Sequence, residues 1–137
     1  MSKKDKPTLS AIDHLVLTVT DIELTIRFYE KALGMTSVSF KAVDGTTRWA
    51  LRFNNQKINL HQAGEEFEPK AAQSLPGTAD LCFLSDMPLA DWQVHLMDKG
   101  VKVIEGPVAR TGAVGPLNSL YLRDPDGNLL EIGNLVR

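Results

Sequence analysis

The sequence of 137 residues lacks several features that would indicate particular classes of protein. It has a single cysteine, Cys82, which excludes an intrachain disulfide and a zinc site built from clustered cysteines. No apolar run approaches the roughly 20 residues that a membrane-spanning helix needs. The formal net charge is -2, so there is no general basic field to hold nucleic acid or an anionic membrane surface. We therefore expect no nucleic-acid partner and no membrane partner.

The first ten residues, MSKKDKPTLS, lack the apolar middle segment of a secretory signal. We expect residues 1–10 to form a flexible leader and the protein to be cytoplasmic. Residues 11–137 have the size of one compact domain. The whole sequence is 43% hydrophobic and 23% charged, which is ordinary for a globular protein with a real core.

The hydrophobic pattern predicts an α+β fold with an internal repeat. Each half reads as a strand, a helix and three further strands. His14 and Gly34 are 20 residues apart, as are Asp80 and Gly100, and both glycines follow a predicted helix. This repeat predicts two βαβββ modules, at 11–62 and 78–134, which form a curved mixed sheet with a central cleft and are joined by a polar linker at 63–77. The predicted strands lie at 11–20, 36–42, 46–53, 57–62, 78–86, 102–106, 117–124 and 128–136.

Four polar residues occupy apolar strands in corresponding parts of the two halves. His14 and Asp80 lie in the first strands, and His61 and Glu131 lie in the last strands. Neutral imidazole and carboxylate suit a divalent first-row metal, so we predict His14, His61 and Glu131 as its ligands, with coordination positions left for a substrate. A histidine in a strand can also be merely hydrogen-bonded or half-exposed. Asp80 could be a ligand, orient a histidine, or cap its strand.

Further side chains are candidates for substrate contact. Tyr121 could donate a hydrogen bond to a developing oxyanion, or it could simply pack in its strand. The candidates for substrate binding are Arg48, Trp49, Arg52, Arg110 and Thr111. The glycine-rich stretch at 109–116 could move as a lid or be a plain connection.

Three other polar features favour structural roles. We predict a solvated or packing role for His95 on its helix. Cys82 alternates with Leu81 and Phe83, which predicts a core position. The sequence from Asp124 to Asn128 predicts a turn.

Three stretches resemble the vicinal oxygen chelate superfamily, which includes glyoxalase I, fosfomycin-resistance proteins, methylmalonyl-CoA epimerase and extradiol dioxygenases. They are IDHLVLTV at 12–19, DIELTIRFYEKALGM at 21–35 and SLYLRDPDGNLLEI at 119–132. The chain is most similar in character to short glyoxalase-domain-containing-5-like and bacterial virulence proteins. The resemblance implies paired βαβββ modules around a cleft, a homodimer, a small-molecule substrate and a divalent ion such as Ni, Zn, Mn or Fe.

The resemblance also implies roles for individual residues. It assigns metal-ligand places to His14, His61 and Glu131, and Asp80 stands where the superfamily often has histidine. The main functional expectation is a metal-dependent lyase or isomerase in which Glu131, or else Asp80, moves a proton on a chelated substrate. The alternatives are an extradiol-type dioxygenase with Fe or Mn, a non-enzymatic antibiotic-binding protein, and a fosfomycin-type transferase.

Overall fold

The computed structural model of the chain describes residues 6–137, so residues 1–5 of the predicted leader lie outside the described part. The elements are β1 (His14–Val19), α1 (Ile22–Leu33), β2 (Thr36–Lys41), β3 (Thr47–Phe53), β4 (Gln56–Gln62), β5 (Asp80–Leu84), α2 (Leu89–Asp98), β6 (Glu105–Thr111), β7 (Pro116–Arg123) and β8 (Leu129–Leu135). Neither helix has the length and apolar character that a membrane crossing requires in this part of the chain.

The strands form two four-stranded sheets, ordered β1-β4-β3-β2 and β5-β8-β7-β6. In each sheet the strand before the helix pairs in parallel with the last strand, and the remaining pairs are antiparallel. The α+β fold of two βαβββ modules is thus confirmed. The strands make two separate hydrogen-bonded sheets, one in each module.

Helix α1 begins and ends at the residues that the sequence indicates. The side chain of Asp21 accepts a hydrogen bond from the backbone N–H of Leu24 at 3.0 Å, which satisfies a free donor of the first turn. Gly34 ends the helix with φ of 70°, a left-handed conformation that glycine adopts without steric cost. These two caps fix where the chain leaves β1 and where it enters β2.

The alternation of side chains gives each sheet one face toward a shared core. In β1, Leu15, Leu17 and Val19 pack into that core together with both helices. His14, Val16 and Thr18 alternate with them and therefore project from the opposite face. We call this second face of each sheet, which is turned away from the core, the open face.

Hydrogen bonds join the two modules around the turn at 124–128. The hydroxyl of Tyr29 on α1 donates to Asp124 at 2.7 Å, and both residues are buried. The backbone N–H of Thr20 donates to the carboxylate of Asp126 at 3.2 Å. The predicted turn is thus also a contact between modules.

The two helices also meet. The Nε2 atom of His95 lies 3.0 Å from the carbonyl oxygen of Ala32, near the end of α1. The structure therefore gives His95 a packing role between the modules, in agreement with the sequence-based prediction.

The edge of the second sheet differs from its prediction. The strand expected at 102–106 is instead β6, because its pairing with β7 shifts register between Glu105 and Val108 and the strand continues past Pro107. An edge strand tolerates proline since one side of its backbone has no ladder partner. The glycine-rich stretch at 109–116, for which both a lid and a plain connection were expected as alternatives, forms the β6–β7 hairpin, which is closed by a hydrogen bond of 2.9 Å from the backbone N–H of Gly112 to Gly115.

The linker at 63–77 contains no helix or strand, but it contacts the first sheet. Phe67 lies against the side chains of Arg48 and His61. The linker therefore covers one end of the open face of the first module.

Candidate functional site

The pairing of β1 with β4 determines which side chains of the first sheet can act together. His14 lies opposite Lys57, Val16 opposite Asn59, and Thr18 opposite His61. All of these project from the open face, but His14 and His61 are four residue steps apart, about 13 Å along the strands. The residue diagonally adjacent to His14 is Asn59, and it can approach His14 where His61 cannot.

The pairing of β5 with β8 repeats this arrangement in the second sheet. Asp80 lies opposite Leu129, and Cys82 lies opposite Glu131. Asp80 and Glu131 are therefore a diagonal pair on the open face, equivalent to His14 and Asn59. The position of His61 corresponds to Gly133. The comparison of the two halves by sequence matched His61 with Glu131. The register shows that this match is displaced by two residues, because Asn59 occupies the position equivalent to Glu131.

The expected ligands do not converge within one chain. Among residues 6–137, no group of three or more histidine, cysteine or acidic side chains is arranged to hold a metal ion. Each module instead supplies a pair. We call His14 and Asn59 the first half-site, and Asp80 and Glu131 the second half-site.

The first half-site has two features that fit a metal ion. The Nδ1 atom of His14 lies 2.8 Å from the Asp13 carboxylate, an arrangement that fixes the ring and leaves Nε2 for a ligand. The Oδ1 atom of Asn59 is buried and has no hydrogen-bond partner among the described residues. A buried oxygen without a partner costs free energy, and coordination of a cation would recover it. Together with the carboxylates of the second half-site, these donors suit a divalent first-row metal.

Glu131 in the second half-site lies between two neighbours whose side chains carry hydrogen-bond donors. Tyr121 faces it from β7 and Cys82 faces it from β5. The Nε atom of Arg110 donates to the Tyr121 hydroxyl at 2.9 Å, so the hydroxyl proton is available to Glu131. The Tyr121 hydroxyl is therefore bound to Arg110, and Tyr121 itself lies directly opposite Glu131 in the sheet.

Both neighbours of Glu131 have raised pKa values. Burial, followed by the charge of Glu131, raises the pKa of Cys82 to about 11. Burial raises the pKa of Tyr121, and the carboxylate adds to this shift while Arg110 opposes it. The thiol and the phenol are thus protonated at neutral pH and can donate to the carboxylate. The predicted core position of Cys82 is wrong, because the residue lies on the open face and is exposed overall, with only its sulfur atom partly covered.

The substrate-binding candidates on β3 have different positions. Arg48 is held by Asp44, with Nη2 2.8 Å from the carboxylate. Trp49 projects from the core side beside Leu60. Only Arg52 projects freely from the open face, opposite Lys57, which in turn lies opposite His14. Arg52 and Lys57 therefore form a row of cationic side chains beside His14.

The two candidates on β6 also differ. Arg110 lies beside Glu131 through its bond to Tyr121, and it forms an ion pair with Glu105 at 3.5 Å. Thr111 is exposed at the β6–β7 hairpin, opposite Pro116. The structure thus brings Arg110, but not Thr111, to the second half-site.

Sequence reasoning missed Asp13, Lys57 and Asn59. The alternation in KINLH places Lys57, Asn59 and His61 on the same face, so the signal for Lys57 and Asn59 was present. The sequence favoured His61 over Lys57 and Asn59 because histidine is a commoner metal ligand than lysine or asparagine. The choice among the three depends on the register with β1, which alternation does not specify.

Comparisons with known proteins agree with this fold. The family model of the Glyoxalase/Bleomycin resistance protein/Dioxygenase superfamily matches residues 11–132. Virulence protein STM3117 of Salmonella typhimurium is 54% identical over 128 residues, which cover 93% of this chain and 86% of that protein. Its crystal structure has a TM-score of 0.90, at 53% identity, and the match covers 95% of this chain and 100% of that chain.

Two further relatives extend the comparison. An integron cassette protein from the mobile metagenome of V. cholerae has a TM-score of 0.90 at 56% identity, with 96% of this chain and 99% of that chain covered. Metallothiol transferase FosB of Bacillus licheniformis is 30% identical over 124 residues, which cover 88% of this chain and 73% of that protein. These similarities extend over most of the chain in each case.

Proposed function

The chain belongs to the glyoxalase/bleomycin resistance protein/dioxygenase superfamily, and from this premise we propose that it is a metal-dependent lyase or isomerase acting on a small substrate with adjacent oxygen atoms. One observation carries the proposal: the two half-sites occupy equivalent register positions on the open faces of the two modules. The word metallothiol in the name of FosB supports metal dependence in this part of the superfamily.

We propose further that a homodimer completes the site. The first half-site of one protomer and the second half-site of its partner would together provide one imidazole, one amide oxygen and two carboxylates. This arrangement would explain why no group of three ligands forms among the described residues of one chain. A divalent ion bound there would supply Lewis acidity that stabilises negative charge on a substrate oxygen.

The side chains around the half-sites would have separate tasks. Glu131 would move a proton between adjacent carbons of the substrate, with Asp80 as the second carboxylate available. Tyr121 and Cys82 would hold the Glu131 carboxylate in place through hydrogen bonds from the two neighbouring strands. Arg52 and Lys57 would attract an anionic group of the substrate.

The metal can be tested by binding of Mn(II) to the purified full-length protein. We expect about one ion per site in the wild type, and a loss of at least tenfold in affinity for His14→Ala and for Glu131→Gln. His61→Gln is the matched control and should bind Mn(II) like the wild type, because its position is about 13 Å along the strand from His14. Unchanged binding in His14→Ala would overturn the metal proposal.

The composite site can be tested by mixing the two defective variants. After denaturation and joint refolding, a mixed dimer pairs the intact His14 of one chain with the intact Glu131 of the other. We expect Mn(II) binding to return in about one site per mixed dimer. If each chain holds its own ion, mixing restores nothing.

Turnover of the methylglyoxal–glutathione hemithioacetal would support a lyase, whereas cleavage of catechol would favour a dioxygenase.

A further inference from the structure

A cavity lies away from His14, at the far end of the same open face. It has a volume of about 630 Å³, within the range of small-molecule sites. Its walls come from β1, the end of β4, the linker and the residues just before β5 and β8. Val16, Leu75, Ala71 and Ala79 provide apolar surface. Polar atoms come from Thr18, His61, Lys70, Gln73, Ser74, Thr78 and Asn128.

His61 is a largely buried polar side chain in the wall of this cavity. Its exposed fraction is 8%, and no side-chain or backbone group in residues 6–137 forms a hydrogen bond with its ring. The ring of Phe67 meets it edge-on, with centroids 5.3 Å apart, and holds its orientation. An imidazole ring has two nitrogen atoms, one of which can donate and the other accept a hydrogen bond, so His61 can pair with either a hydroxyl or a carbonyl group.

The charges around the cavity are already paired. The ammonium group of Lys70 lies 3.0 Å from the Glu66 carboxylate. Arg48 is bound to Asp44, and its guanidinium carbon lies 3.8 Å from the centroid of Phe67. An ionic ligand would therefore lose its hydration without gaining a free counter-ion, so the site favours an uncharged group.

We propose that the cavity binds an uncharged, largely apolar group that carries one hydroxyl or carbonyl, and that His61 recognises this polar atom. If this group belongs to the substrate, the inference rests on the proposed function. The cavity would then hold the end of the substrate that is remote from its adjacent oxygen atoms. The cavity and His14 share one open face, so an elongated molecule can occupy both. His61 is then a specificity residue at this end of the site.

Phenol, toluene and benzoate are suitable probes, because they differ only in the group attached to one aromatic ring. In titrations followed by amide NMR on the full-length protein, we expect phenol to shift the resonances of Thr18, Ala71 and Leu75. We expect toluene to bind about three- to tenfold more weakly, which is the value of one neutral hydrogen bond. Benzoate should bind more weakly than phenol.

Two variants of His61 test its role. His61→Phe should reduce phenol affinity to that of toluene, whereas His61→Gln should retain a preference for phenol because glutamine still forms hydrogen bonds. The inference is overturned if phenol shifts resonances elsewhere only, if His61→Phe binds phenol like the wild type, or if benzoate binds more tightly than phenol.

The metal proposal is tested separately. His14→Ala should lose Mn(II) and keep phenol binding, and His61→Phe should show the opposite pattern. Failure of the metal site would therefore leave phenol binding intact. Failure of the cavity would leave Mn(II) binding intact.

Discussion

At the scale of single residues, the least ordinary environment is that of Glu131. Its carboxylate has a hydrogen-bond donor on each neighbouring strand, and the cation of Arg110 lies behind one of them. Cys82 reports on this environment because it is the single cysteine of the chain. Its thiol pKa depends on burial first and on the charge of Glu131 second. Modification of this thiol is therefore a measurement of the second half-site.

We predict that Cys82 reacts slowly with iodoacetamide in the metal-free protein. A pKa of about 11, against an ordinary value of 9.0, lowers the thiolate fraction about 100-fold at pH 8. Glu131→Gln removes the negative charge, so its pH profile of alkylation should shift to lower pH. Glu23→Gln, an exposed change on α1, is the control and should react like the wild type. Identical profiles for Glu131→Gln and the wild type would contradict the assigned contact.

At the scale of elements, the sequence specified faces better than registers. The period-two pattern predicted correctly that His14, Val16 and Thr18 share one face of β1. It could not specify that β4 aligns His14 with Lys57, because pairing between distant strands depends on packing of the whole module. The sequence-based prediction therefore grouped His14 with His61, whereas the register places Asn59 diagonally beside His14.

The end of α1 at Gly34 was predicted more accurately because its signal is local. Asp21 supplies the first cap of α1 and Gly34 supplies the last, and neither depends on distant residues. The strand β6 was displaced in the prediction for the opposite reason. Whether Pro107 interrupts a strand depends on whether that strand lies at an edge, and sheet order cannot be read from the local pattern.

The cap of α1 leads to a prediction at this scale. Asp21→Ala should lower the free energy of unfolding by about 1 kcal/mol, because the N–H of Leu24 loses its acceptor. Asp21→Asn retains a capping oxygen and should lie within a few tenths of a kcal/mol of the wild type. Urea denaturation followed by circular dichroism measures both. Equal losses for the two variants would show that the cap hydrogen bond does not stabilise the helix.

At the scale of the whole molecule, the two modules share one core. Its buried residues come from both sheets and both helices. The bond from Tyr29 to Asp124 crosses between modules inside this core, and Asp124 also accepts from Asn128 on its own turn. A hydrogen bond to a buried carboxylate is worth more than one between neutral groups. The modules are therefore expected to unfold as one cooperative unit.

The two tryptophans allow a direct test, since Trp49 lies in β3 of the first module and Trp92 lies in α2 of the second. Trp92→Phe leaves a fluorescence probe in the first module, and Trp49→Phe leaves one in the second. When Tyr29→Phe is introduced into either variant, the free energy of unfolding should fall by about 2 kcal/mol, because the change removes only the hydroxyl group that donates a hydrogen bond to Asp124. Both probes should report the same shift, of about 1 M in urea midpoint. A shift confined to one probe would mean that the modules unfold separately and that the bond stabilises α1 alone.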